Sequence, residues 1–162
     1  MSNVNHLSRC VLRDPRYFLA FGFGSGLSPI APGTCGTITA ILIYFLMAGL
    51  TWELYLGFIV IAFIVGIVIS DEITKELKIN DYKGIVWDEF IGYWLTMFLV
   101  PCGFIWIFLG FILFRLFDIW KPFPIKHLER CKHSGFAIMI DDVMAALYAW
   151  IVLQFIILVW RQ

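Results

Sequence analysis

Half of the acidic residues of this chain come in adjacent pairs, Asp71/Glu72, Asp88/Glu89 and Asp141/Asp142, with Asp118 standing between Arg115 and Lys121. Two of the pairs open apolar stretches, VWDEFIGYW (Val86 to Trp94) and MIDDVMAA (Met139 to Ala146). A single acid at a helix start gains about 0.3–1 kcal/mol from the helix dipole. Two adjacent acids beside lipid repel each other, so the dipole does not account for a pair. Ionisable groups at or inside a membrane are functional candidates. Hard carboxylate oxygens from two helix ends suit Mg²⁺, which keeps several waters and also takes substrate phosphate. Asp88, Glu89, Asp142 and Asp141 are therefore the candidate metal ligands.

Arg115, Asp118 and Lys121 are three residues apart and project from one helical face. One reading is a structural ion pair at a membrane edge, where long cationic side chains snorkel. The other makes Asp118 a further acid of the site, with Arg115 and Lys121 grasping phosphate oxygens; the planar fork of arginine suits that task. A third candidate is GFGSGLSPIAPGT, Gly22 to Thr34, just before an apolar run. Ser25, Ser28 and Thr34, with exposed backbone N–H groups, could hold a phosphate at a helix N-terminus. Small residues also let membrane helices approach closely, so both readings stand.

These groups must be positioned by an unusually apolar chain. Of 162 residues 61% are hydrophobic and 18% aromatic, with mean hydropathy +0.87, against about 45–50% apolar in ordinary domains. The length fits one domain. A net charge of zero argues against a nucleic-acid partner, which selects a basic excess. Apolar stretches at 36–50, 54–70, 90–100, 104–117 and 137–160 predict an all-α, polytopic membrane helix bundle of four to five membrane segments. Two of them, joined at Val100-Pro101-Cys102-Gly103, form a short hairpin beginning near Trp87. Residues 1–20 read as a cytoplasmic N-terminal arm, and 21–162 as one membrane-embedded domain. No signal peptide is expected, because the first apolar run follows a polar arm and lacks a cleavage site.

Threading five segments from an inside N-terminus leaves only Arg161 of the twelve Lys and Arg residues, and only Glu53 of the twelve acids, on the far side. The positive-inside rule then sets the orientation, with the acidic site facing the cytoplasm. Trp52, Trp106 and Trp160 fall near the outer boundary and Trp87 and Trp120 near the inner one. The 71–89 connection reads as part helical with turns at Asn80-Asp81 and Gly84, and Pro122 and Pro124 predict an extended exit after Lys121.

Cys10, Cys35, Cys102 and Cys131 show no paired spacing and read as free thiols. Cys10 to Arg16 has the C-x5-R spacing of cysteine phosphatases, but Pro15 lacks an N–H and Asp14 would repel phosphate. His127 and His133 have no zinc-type spacing and read as solvated.

Four motifs together, GFGSGLSPIAPGT (22–34), IVWDEFIG (85–92), FRLFDIWKPFPI (114–125) and the run ending MIDD (133–142), resemble the phosphatidylglycerophosphatase A family. The resemblance spans about Phe21 to Ala146 and implies a Mg²⁺-dependent lipid phosphatase of the bacterial inner membrane. Its implied substrate is phosphatidylglycerophosphate, held in the bilayer, and its products are phosphatidylglycerol and inorganic phosphate. On that expectation Asp88, Glu89 and Asp142, with Asp118 or Asp141, hold Mg²⁺. Arg115 and Lys121 share the charge developing on the phosphoryl group, and the Ser25–Thr34 segment closes over the phosphate. Competing readings are a phosphatase of other lipid phosphates such as phosphatidate, and a small carrier using its carboxylates as a cation path. The aspartate-rich signature of CDP-alcohol phosphotransferases is absent.

Overall fold

The computed structural model describes residues 7, 10–79, 82–123, 125 and 135–161. The Asn80-Asp81 turn, Pro124, His127, His133, Cys131 and the cations Arg9, Lys126, Arg130 and Lys132 lie outside the described residues. Every regular element among the described residues is helical: α1 (Pro15–Ala20), a 3-10 segment (Gly22–Leu27), α2 (Pro32–Met47), α3 (Trp52–Leu77), α4 (Trp87–Thr96), α5 (Phe104–Trp120) and α6 (Gly135–Trp160). With 26 residues each, α3 and α6 are about 39 Å long. Both are long and apolar enough to cross a membrane.

Residue spacing decides which face of each helix turns inward. On α3 the buried positions Tyr55, Ile59, Ala62, Gly66, Ile69 and Ile73 recur every three or four residues, the stripe of a helix packed on one side. The other side is equally apolar yet exposed, with Leu54, Ile61, Ile64 and Val68 all more than half accessible. Exposed apolar surface of this extent suits lipid rather than water. On α6 the inward side carries Ala145, Ala146 and Ala149. Small residues there let α4 lie close.

The short helix α4 is the axis of the bundle. It packs against α2, α3, α5 and α6, and Trp87, Phe90, Ile91, Gly92, Tyr93, Trp94 and Thr96 are all buried. Ten residues span only about 15 Å, so its C-terminal end lies inside the bundle, where bare carbonyls would be costly. Side chains supply the partners: the Tyr55 hydroxyl donates to the Trp94 carbonyl (2.7 Å), and Trp150 Nε1 and Gln154 Nε2 donate to the Phe98 carbonyl (2.8 and 3.3 Å). Gly92 permits the α4–α5 approach, since a Cβ there would overlap the Phe114 ring and press the Asp142 carbonyl.

α1 docks on the far end of α3. Asp14 caps it by accepting from Arg16 N–H (2.9 Å), and Pro15 occupies its first turn. Arg16 bridges to Glu72 (2.9 Å) and Glu76 (2.8 Å), and Tyr17 donates to Glu76 (3.1 Å). The Arg16 hydrogen bonds hold the Asp14 carboxyl below its ordinary range. Burial, then Glu76, pushes the Tyr17 phenol up to about 12. Val11, Tyr17 and Ala20 join the main core, so residues 10–20 are packed against the body rather than extended from it.

The helical part of the 71–89 connection is the end of α3, which runs unbroken to Leu77 and ends at Lys78 in a left-handed conformation. Two local expectations change. The exit from α5 is a turn, not an extended strand: Lys121 is left-handed, and the Ile125 N–H donates to the Pro122 carbonyl (2.9 Å). Burying Ile125 completely drives that turn inward. Trp87 is no interface anchor; it is buried, and its indole N–H donates to the Ala62 carbonyl (3.0 Å). Cys35 and Cys102 are free thiols.

Candidate active site

The acidic residues are gathered by helix ends. α4 is pinned at its start, where the Val86 N–H donates to the Ala20 carbonyl (2.9 Å) and Trp87 reaches α3. Asp88 and Glu89 follow in its first turn. Asp141 and Asp142 enter from the second turn of α6 and are 2% and 4% exposed. Arg115 and Asp118 come from the last turns of α5, and Lys121 closes it. Pro32 and Gly33 arrive from the first turn of α2.

One carboxylate oxygen each from Asp88, Glu89 and Asp142 lie within 4.8 Å of one another. Around them is a cavity of about 210 Å³ that Asp118, Asp141 and Lys121 also line. Arg115 Nη1 stands 2.7 Å from Asp118 and 3.8 Å from Glu89. Lys121 reaches across to Asp141 on α6 (3.0 Å). Hence the structural ion pair at Arg115 and Asp118 is present, and its acid, Asp118, is part of the cavity wall.

Several buried atoms here lack hydrogen-bond partners. They include Glu89 Oε2, Asp142 Oδ2 and the Nε and Nη1 of Arg115, whose approach to Asp118 is close but poorly aligned. Unpaired buried carboxylates are costly, and a bound ion or ordered water would satisfy such orphans. The five acids outnumber the cations Arg115, Lys121 and Lys83, leaving a formal charge of −2 in a small space. A divalent cation matches both the charge and the oxygen donors.

From the glycine-rich segment the cavity receives Pro32 and Gly33, while Ser25, Ser28 and Thr34 are not among the described residues lining it. Ser25 turns its hydroxyl to the Gly22 carbonyl (2.8 Å). Gly26 lies directly against the Gly84 carbonyl, so the segment is close-packed at that point. Gly33 is different: a Cβ there would overlap Glu89 Oε1 and sit 3.1 Å from Arg115 Nη1. Its bare backbone keeps open the space between an acid and a cation of the site. Sequence reasoning missed Gly33 and Lys83 as site residues. The position of Lys83 five residues before Asp88 is the one signal the chain offers for it.

A family model described as phosphatidylglycerophosphatase A matches residues 18–157. The phosphatidylglycerophosphatase A of Escherichia coli (strain K12) is 42% identical over 150 residues, covering 92% of this chain and 87% of the relative. That of Haemophilus influenzae is 42% identical over 154 residues, 94% of each chain. A Bacteroides thetaiotaomicron relative, 36% identical over 82% of this chain and 87% of its own length, bears a provisional name as a phosphatidylinositol-3-phosphatase. No solved structure matches the chain.

Proposed function

Because the chain belongs to the phosphatidylglycerophosphatase A family, we propose that it hydrolyses phosphatidylglycerophosphate to phosphatidylglycerol and inorganic phosphate, with Mg²⁺, at the cytoplasmic face of a bacterial inner membrane. The observation that supports this most is the meeting of Asp88, Glu89 and Asp142 within 4.8 Å, beside a guanidinium with unsatisfied donors. A carrier would space its acids through the depth of the bilayer; these share one cavity at one end of the bundle.

Asp88, Glu89 and Asp142 would hold the ion, which would supply charge neutralisation for the phosphomonoester and Lewis-acid activation of a water. Arg115 donates Nε and Nη1 to the phosphoryl oxygens, and Lys121 adds its charge, so both bind most strongly when charge develops on the transferring group. Asp118 and Asp141 hold these two cations in position. Gly33 and Thr34 lie in the first turn of α2, where N–H groups lack helical partners, and present them to the phosphate. The bundle sits with five helices traversing or dipping into the bilayer, α4 and α5 forming the hairpin. The positive-inside distribution supports a cytoplasmic position for the cavity, and the contact of Trp106 with Trp160 (centroids 6.4 Å apart) agrees with an opposite boundary there.

Arg115→Lys lowers kcat/KM about a hundredfold, since lysine keeps the charge but loses the fork. Steady-state kinetics in detergent check this, and a change under twofold refutes the phosphate grip. The functional reading itself is tested by phosphate release from phosphatidylglycerophosphate, phosphatidate, lysophosphatidate and phosphatidylinositol 3-phosphate. Phosphatidylglycerophosphate should be hydrolysed fastest. A preference for the inositol lipid would instead favour the activity named for the Bacteroides relative.

A further inference from the structure

We propose that Lys83 recognises the second phosphate of the substrate, the phosphodiester linking the headgroup glycerol to the diacylglycerol. It thereby selects a lipid that carries a diester as well as a terminal monoester. The inference rests on the lipid phosphatase reading above and adds a specificity residue to it.

Three cations stand at this cavity, and they differ in what they hold. Arg115 and Lys121 are largely buried and already face Asp118 and Asp141, at 2.7 and 3.0 Å. Lys83 lines the same cavity but is exposed, and it forms no ion pair among the described residues. Its backbone is nevertheless fixed. The Ile85 N–H donates to the Tyr82 carbonyl (2.9 Å), closing a turn around it. Gly84 is wedged against Phe21, Tyr82 and the Gly26 carbonyl, with no room for a Cβ. The turn is thus locked to the glycine-rich segment while the ammonium stays available at the mouth.

The proposed substrate has two phosphates joined through one glycerol. If its monoester enters among the carboxylates and Arg115, the diester is left at the opening with one negative charge. Lysine offers a compact charge with three rotatable donors, which suits a diester whose two free oxygens can present themselves in several orientations. Phosphatidate has its monoester directly on the diacylglycerol and offers Lys83 nothing equivalent. The contact is to a part of the lipid that does not react, so it should strengthen binding of ground and transition states alike.

The test uses the purified full chain in non-ionic detergent with Mg²⁺, comparing wild type, Lys83→Gln and Lys83→Arg. Lys83→Gln should raise KM for phosphatidylglycerophosphate about tenfold, the loss of one charge-assisted hydrogen bond, with kcat nearly unchanged. Product inhibition by phosphatidylglycerol, which keeps only the diester, should weaken by a similar factor. Inhibition by inorganic phosphate, which needs only the inner cavity, should not change, and Lys83→Arg should restore most of the loss. An unaltered KM, or equal weakening of both inhibitors, overturns the assignment. So does a defect seen only in anionic vesicles, which would mark Lys83 as a bulk-surface anchor. A wild-type enzyme that releases no phosphate from this lipid overturns the functional reading itself.

Discussion

Asp88→Asn, Glu89→Gln and Asp142→Asn each lower phosphate release about a thousandfold, the scale of losing a principal source of transition-state charge stabilisation, while the protein remains folded. The second half of that result separates a catalytic role from a structural one. Asp88 and Asp142 form no ion pair among the described residues, and with Glu89 they crowd like charges together. Removing one charge relieves repulsion between buried groups. In EDTA, Asp88→Asn and Asp142→Asn should therefore melt at or above the wild-type temperature even though turnover is lost. Such a trade between stability and activity is the mark of a site kept for its chemistry. Phosphate release and a detergent melting curve, measured on the same preparations, check both halves. Full activity in all three variants, or lower melting temperatures in EDTA, would contradict the assignment.

Chelation gives the second large effect. EDTA should abolish turnover, and Mg²⁺ should restore it. Ca²⁺ should restore far less, since it favours six to eight oxygens at longer range than this compact group provides. Binding to the folded state alone also stabilises it, by about 2.7 kcal/mol at a hundred times the dissociation constant. Saturating Mg²⁺ should accordingly raise the wild-type melting temperature and leave that of Asp142→Asn nearly unmoved. A wild-type enzyme that keeps its rate after exhaustive chelation would remove the metal from the account.

Much of this arrangement was legible in the chain. Long apolar runs and the Val100–Gly103 break mark the helices, because a lipid-facing helix is apolar on all sides and signals itself by composition. Where lipid ends the signal is weaker: 71–89 reads as part helical, but its charges hide that the helix is an unbroken continuation of α3 to Leu77. Asp88/Glu89 and Asp141/Asp142 were visible as pairs. Their partners were not, because consecutive helical residues differ by about 100° and only packing decides which one faces the cavity. Asp142 meets Asp88 and Glu89, whereas Asp141 takes Lys121. Spacing along α5 placed Lys121 on the face of Asp118, but its reach to α6 depends on a tertiary contact. The glycine-rich segment gave no hint that Gly26 abuts Gly84 while Gly33 borders the acids. Hydroxyls and backbone N–H groups were both expected to face phosphate there; among the described residues the cavity meets Pro32 and Gly33 and not Ser25, Ser28 or Thr34.

The proposed chemistry requires one divalent ion seated among carboxylates from α4 and α6. Anomalous scattering from Mn²⁺, introduced in place of Mg²⁺ into crystals of the active protein, locates that ion directly. The expected peak lies about 2.1 Å from oxygens of Asp88, Glu89 and Asp142. A peak bound elsewhere, or an empty cavity at Mn²⁺ concentrations that sustain turnover, would contradict it.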